Sequence, residues 1–289
     1  MTPEQFEEYR PRLFAIAYRM LGTVMDAEDA VQDTFLRAAS AQVEKRSEGA
    51  YLRTTLIHLC INQLHSTRTQ RESYIGPWLP APLLTAPYAD PADAVGQAET
   101  MSFALLRLME QLTPEERAVF VLREAFDYTY DEVATLLGKS EVACRKLFSR
   151  ARAKVSREPI PVDEAPAHRQ LTTRLMQALQ SGEVTALLEL LAADVVLRSD
   201  GGGKVSAAIH PLYGAQVVAS FVMGLMRHTR PGDTFELLTF NGREGWLMRD
   251  AQGARFLVIL FEVQNGLAQN LYFIRNPDKL AHLPPLSGT

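Results

Sequence analysis

Cysteine is almost missing from this chain: Cys60 and Cys144 are the only two in 289 residues. Two thiols so far apart, both inside helical patterns, exclude a disulfide framework and a cysteine-built zinc site. No apolar run approaches the roughly 20 residues that a membrane-spanning helix needs. The segment Met1 to Arg12 lacks the apolar core of a signal peptide. A soluble, cytoplasmic protein without membrane contact is therefore expected. Surplus positive charge is lacking too, since 30 Lys and Arg stand against 34 Asp and Glu for a formal net charge of −4. That excludes a protein coating DNA by bulk attraction, because nonspecific affinity grows with the number of phosphates neutralised. Any DNA contact must be local. Internal repeats and long low-complexity tracts are also absent.

The length suits two or three domains. From about residue 3 to 73 apolar residues recur at three and four, as in Phe14, Ala17, Tyr18, Leu21 and again in Leu52, Leu56, Leu59, Cys60, Leu64. Within this all-helical stretch, Ala27, Ala30, Val31 and Phe35 form one stripe while Asp26, Asp29 and Asp33 project from another. A carboxylate face of this kind suits a basic protein partner. The Pro-rich run from Gly76 through Pro87 ends the helical pattern. It is apolar, and Trp78, Leu79, Leu83 and Leu84 are expected to dock on a neighbouring domain rather than swing freely.

A second helical unit follows from about Asp93 to Arg157. Thr113, Pro114, Glu116 and then Thr129, Glu132 read as capped helix starts, Gly138 as a stop and Ser140 as the next cap. Two short capped helices followed by one rich in Arg145, Lys146, Arg150, Arg152 and Lys154 make a helix-turn-helix. Val142, Leu147, Phe148 and Ala151 are assigned to its core face. Beyond Pro159, Pro161 and Pro166 the pattern predicts helices over about 167–180, 183–192 and 214–228. Strands follow at Phe235 to Phe240, Gly245 to Arg249, Phe256 to Val263 and Leu267 to Ile274. Asn241-Gly242 and Asn265-Gly266 mark hairpins, so the third domain is expected to be α+β with an antiparallel sheet.

Taken together, these residues resemble an extracytoplasmic-function sigma factor of the sigma-70 superfamily. Tyr18 to Gly22 with Asp26 to Arg37 resembles the region-two helix that binds the coiled coil of the RNA polymerase β′ clamp, and Thr113 to Lys154 resembles region four, which reads the −35 element and touches the β flap. Three shorter runs are similar to the signatures of the sigma group with a fused SnoaL-like domain, the sigma-J type. They are Gly76 to Leu83, Asp200-Gly201-Gly202-Gly203-Lys204 and Asn276-Pro277-Asp278-Lys279-Leu280. Ala81 departs from that group, which usually has Glu there.

The resemblance implies two all-α sigma domains, over 1–75 and 99–158, joined by a linker over 76–98 and followed by an α+β SnoaL-like cone over 165–281. It implies polymerase binding by Asp26, Glu28, Asp29, Gln32 and Asp33. Contact with the −10 element falls to Asn62, Gln63, His65, Arg68 and Arg71. An aromatic ring can also hold an unstacked base, which makes Tyr51 and Tyr74 candidate helpers in strand separation, but a core or boundary place is the stronger reading of both. Contact with the −35 element falls to Ser140, Glu141, Arg145, Lys146, Ser149, Arg150 and Arg152. Regulatory contact between domains falls to Gly76, Trp78, Leu79, Pro80, Asp200 to Lys204 and Asn276 to Leu280, in place of a separate anti-sigma factor. No catalytic residue, metal or cofactor is assigned. Phe221, Trp246 and Phe261 are candidates to line a cavity for a small apolar ligand, although aromatics in a sheet domain are more often plain core. Two other readings remain at this point. One is a SnoaL-type cyclase or isomerase fused to a DNA-binding module, with Asp194, Asp200 and His210 as its acid/base candidates. The other is a one-component, ligand-sensing transcription factor, which has no need of the acidic face.

Overall fold

In a computed structural model the described residues are 1–41, 48–85, 101–157 and 165–285, with only the backbone described for 68–72 and 165. They fall into two compact units. The first holds residues 1–72 and 101–157; the second holds 73–85 and 165–285.

In the first unit Thr2 caps α1 (Pro3–Glu7). Next, α2 (Arg10–Leu21) ends at Gly22, whose φ of 80° is the left-handed stop that glycine adopts without strain. Thr23 then caps α3 (Val24–Ser40), and α4 (Glu48–Glu72) closes the bundle. Of the residues the spacing names, Ala17, Tyr18 and Leu21 of α2, Ala27, Ala30 and Val31 of α3 and Leu52, Leu56, Cys60 and Leu64 of α4 are buried, Leu13, Ile16, Met20 and Ile57 join them, and Phe14, Phe35 and Leu59 are only partly buried. The chain resumes at α5 (Phe103–Leu108) and a single 3-10 turn (Met109–Gln111). The capping boxes at Thr113 and Thr129 then start α6 (Pro114–Phe126) and α7 (Tyr130–Leu137). Gly138 stops α7, and Ser140 starts α8 (Glu141–Val155).

The two helical groups pack on each other. Arg117 of α6, 2% exposed, donates from Nε to the Arg19 carbonyl at 3.4 Å and pairs with Glu110. The Arg19 guanidinium lies 4.8 Å from the centre of the Phe126 ring. His65 of α4 meets Glu115 of α6 at 3.0 Å.

In the second unit α9 (Ala165–Ser181) and α10 (Val184–Leu188) precede β1 (Leu191–Asp200) and β2 (Leu212–Tyr213). Then come α11 (Ala215–Met226), β3 (Thr234–Phe240), β4 (Arg243–Arg249), β5 (Arg255–Gln264), β6 (Leu267–Ile274) and α12 (Pro277–Leu280). Strand order is β2-β1-β6-β5-β4-β3. Two expectations need correction. The helix expected over 183–192 stops at Leu188, and the apolar run after it is β1, where the β-branched pair Val195 and Val196 favours strand. The sheet is mixed rather than antiparallel, because β1 runs parallel to β6. Both Asn-Gly hairpins are present, with φ of 49° and 75° at Asn241 and Gly242 and of 54° and 75° at Asn265 and Gly266.

One sheet face carries the helices over a core that includes Leu171, Leu175, Val218, Val222, Trp246, Phe261 and Phe273. Trp246 and Phe261 stack on each other, and His168 stacks on Phe261 at 4.3 Å, so both rings are packing residues rather than a cavity lining. The other face holds a register row of Asp200, Ile274, Val258 and Leu247. These four are buried along with Leu79, Ala81, Leu280 and Leu283 of the linker and tail. The apolar linker thus belongs to this unit. It forms an antiparallel bridge between Leu84 and Phe240, and the Asn241 amide donates to the Leu83 carbonyl at 2.8 Å. The part of the linker reading beyond Thr85 lies outside the described residues.

Candidate functional sites

Three surfaces concentrate the residues singled out from the sequence. On α3 the acidic face divides. Asp26 is committed inside the bundle, where it accepts from Thr23 Oγ1 at 2.5 Å and from Gln63 Nε2 at 2.8 Å. Glu28 pairs with Arg10 at 2.5 Å. Asp29, Gln32 and Asp33 are exposed. Met25 and Leu36, each 55% exposed, extend the same stripe at spacings of three, four and seven, so the outward face is acidic in the middle and apolar at both ends. Met25 and Leu36 are absent from the sequence reading because exposure of an apolar residue has no local signature.

On α4 Asn62 and His65 are exposed. Gln63 is the residue tied to Asp26. The side chains of Arg68 and Arg71 lie outside the described residues. Tyr51 is half-buried, while Tyr74 belongs to the second unit, where its hydroxyl donates to Asp200.

On α8 the buried stripe is Cys144, Leu147, Ala151 and Val155. Outward lie Glu141, Arg145, Lys146, Ser149, Arg150 and Arg152. Val142 joins them at 61% exposed, against its assignment to the core. It stands two residues before Cys144, about 200° around a helix that turns about 100° per residue. Arg145 is held by Glu141 at 2.9 Å, with its guanidinium 4.4 Å from the centre of the Tyr130 ring. Arg150 and Lys154 reach the buried Glu116 at 3.4 and 2.6 Å, tying α8 to the start of α6. Burial pushes the Glu116 carboxyl up, but Lys154, the Thr113 amide and Arg150 together hold it below the usual carboxylate range.

The third surface is built on Asp200, which is 0% exposed. Its Oδ1 accepts from Tyr74 Oη at 2.6 Å and from the Gly202 amide at 3.0 Å. Its Oδ2 accepts from the Leu79 amide at 2.8 Å and from Lys279 Nζ at 2.6 Å. Lys279 also donates to the Leu79 carbonyl, and its ammonium lies 3.9 Å from the centre of the Trp78 ring. Asn276 caps α12 by accepting from the Asp278 amide, and its Nδ2 donates to Tyr74 Oη at 2.9 Å. A β-carbon on Gly202 would run into the Asn276 amide, and with φ at +63° the position favours glycine twice over. Lys204 pairs with Asp278 at 2.5 Å, and Gly76 lies against the backbone of Ile209.

The turn, the linker signature and the Asn276 to Leu280 signature therefore meet around one carboxylate. Tyr74 and His282 are the members that sequence spacing missed. His282 donates from Nε2 to the Pro82 carbonyl at 2.8 Å, and burial lowers its pKa. Burial first, then the bond to Asp200, pushes the Tyr74 phenol far up. Ala81 is buried, in a segment held by the Leu79 and Leu83 amides, which donate to Asp200 and Asn241, and by the Pro82 carbonyl, which accepts from His282.

A carboxylate accepting four bonds, one from a buried ammonium, has no free lone pair for acid/base work. Asp194 and His210 are exposed elsewhere, so the expected alternative of an acid/base site with Asp200 and His210 is not assembled. Among the described residues no group of three or more His, Cys, Asp or Glu is placed to hold a metal ion, and no helix is long and apolar enough to cross a membrane.

Comparison with known proteins agrees with this layout. Sigma-70 region 2 matches residues 5–70, and Sigma-70 region 4 matches residues 102–155. The ECF RNA polymerase sigma factor SigJ of Mycobacterium tuberculosis is 37% identical over 98% of this chain and 95% of its own length. The probable ECF RNA polymerase sigma factor SigI of the same species is 36% identical over 63% of this chain and 64% of its own. The crystal structure of M. tuberculosis SigJ superposes with a TM-score of 0.78 at 34% identity, covering 98% of this chain and 100% of that one. The chain belongs to the extracytoplasmic-function RNA polymerase sigma factors, which direct promoter-specific initiation of transcription.

Proposed function

We propose that this sigma factor meets core polymerase and promoter DNA with different helices of its first unit, and that its C-terminal domain governs it by gripping the segment after region two. Asp29, Gln32 and Asp33, flanked by Met25 and Leu36, dock on the β′ clamp. Asp26 and Glu28 hold that helix in shape. Asn62 and His65, with Arg68 and Arg71 farther along α4, meet the −10 element. Arg145, Lys146, Ser149, Arg150 and Arg152 of α8, which starts at Ser140 and Glu141, meet the −35 element, and region four also touches the β flap. Such work places the protein in the cytoplasm, with the C-terminal domain standing in for a separate anti-sigma factor. The observation that carries this reading is the segregation of charge: an exposed carboxylate face on α3 and an exposed basic face on α8.

The Asp200 cluster supports the regulatory part, since it immobilises residues 74–79 directly after α4.

The test is transcription with purified core polymerase across a genomic promoter library. It compares the full chain with forms ending at residue 157 or just before Asn276. The full chain is expected to direct initiation from a defined promoter set, and the shortened forms to change the yield at those same promoters. If no form directs initiation anywhere, the reading fails.

A further inference from the structure

We infer that Val142 reads the methyl group of a thymine in the −35 element. The inference rests on α8 being the promoter-reading helix and adds which base feature its first turn recognises. Val142 is the second residue of α8, behind the tight turn at Gly138 to Ser140. In a helix-turn-helix the start of the second helix enters the major groove and reaches base edges.

Among the described residues no packing partner accounts for a valine at this point, which is 61% exposed. The core stripe of α8 runs on the opposite side, a β-branched residue is a mediocre helix former, and the cap is supplied by Ser140. Val142 instead heads an outward row with Arg145, Lys146 and Ser149 at spacings of three, four and seven. The other three offer charge or hydrogen bonds, which suit phosphates, guanine or adenine edges. Val142 alone in that row offers a short, branched apolar surface. The apolar feature of the major groove is the C5 methyl of thymine. Arg145 is steadied beside it by Glu141 and the Tyr130 ring. The row is therefore suited to read one methyl next to polar base edges.

The test uses the full chain with core polymerase. A promoter found active in transcription has its −35 region randomised, and tight binders are selected. Each thymine of the selected element is then replaced singly by deoxyuridine, which removes the methyl and keeps the O4 acceptor. At one thymine the replacement should weaken wild-type binding roughly threefold to fourfold, the worth of about one buried methyl. Val142→Ala should be indifferent to that replacement while keeping its sensitivity to other −35 base changes, which shows that its helix is intact. Val142→Ile should keep the wild-type response. Silence at every thymine, an element without thymine, or an equal loss in Val142→Ala would overturn the inference. A holoenzyme that selects no −35 sequence would defeat the region-four reading itself, an outcome distinct from selection that ignores the methyl.

Discussion

Asp200 is one residue on which three separate stretches of chain depend. Its partners Tyr74, Leu79 and Lys279 lie 126, 121 and 79 positions away, whereas Gly202 is a neighbour in the turn. Asp200→Asn keeps the shape but leaves the Lys279 ammonium buried without its counter-charge. Breaking one side of a buried pair costs about 3–5 kcal/mol, and that loss should appear in urea unfolding of the C-terminal domain. Lys279→Met should cost a similar amount. The double variant should cost clearly less than the sum, because no uncompensated charge remains. Additive losses would mean that the two groups are not a coupled pair in solution. The local half of this cluster was legible in the sequence: a Gly-rich turn closed by an Asp side chain follows from residue type and spacing. The distant half was legible only through the family resemblance, which groups Leu79 and Lys279 with Asp200 and leaves out Tyr74. No periodicity links Tyr74 to residue 200, and residue type alone points to a core or boundary place for the phenol without naming its partner.

At the scale of the helix, capping and apolar spacing settle where an element starts and which side is buried. They do not settle which exposed residues have internal work. On α3 the three aspartates look equivalent by spacing, yet Asp26 bonds Thr23 and Gln63 while Asp29 and Asp33 are exposed. The two kinds of carboxylate should separate by measurement. Reversing Asp29 and Asp33 to Arg should leave thermal stability within about 0.5 kcal/mol and weaken binding to core polymerase by tenfold or more at low salt. The difference should shrink as salt screens exposed charges. Asp26→Ala should do the reverse, costing about 1 kcal/mol of stability through the lost bonds from Thr23 Oγ1 and, across to α4, from Gln63 with a smaller effect on binding. Fluorescence titration against core polymerase at two salt concentrations checks both. Unchanged binding by the Asp29 and Asp33 variant would remove α3 from the interface. Val142 of α8 teaches the same lesson from the apolar side: hydrophobic type suggested core, while the angle fixed by Cys144 and Leu147 points it outward.

For the whole molecule, what sequence could not convey is which pieces travel together. The apolar linker was expected to dock on a neighbouring domain, but spacing alone does not say which; it packs with the C-terminal sheet, and the two sigma regions share one compact unit. Non-local packing of this kind is set by matching surfaces, as between Arg117 and the Arg19 carbonyl, and leaves no spacing to read. It has a mechanical consequence. The −10 and −35 elements are about 25 base pairs apart by position, or about 85 Å at ~3.4 Å per pair. His65 and Glu115, which belong to the regions assigned to those elements, are in contact. Regions two and four are therefore expected to part before both elements are bound. Joining the regions through His65→Cys and Glu115→Cys with a short, cleavable bis-thiol reagent should prevent promoter complexes from forming with core polymerase, and cleaving the reagent should restore them. The native thiols should not compete, since Cys60 and Cys144 are buried and burial lifts the Cys60 thiol to about 12. Because the joined and cleaved samples carry the same two substitutions, any loss from replacing His65 itself is present in both. A joined protein that binds promoter as well as the cleaved one would show that the packed arrangement of regions two and four is compatible with initiation, and the parting step would have to be abandoned.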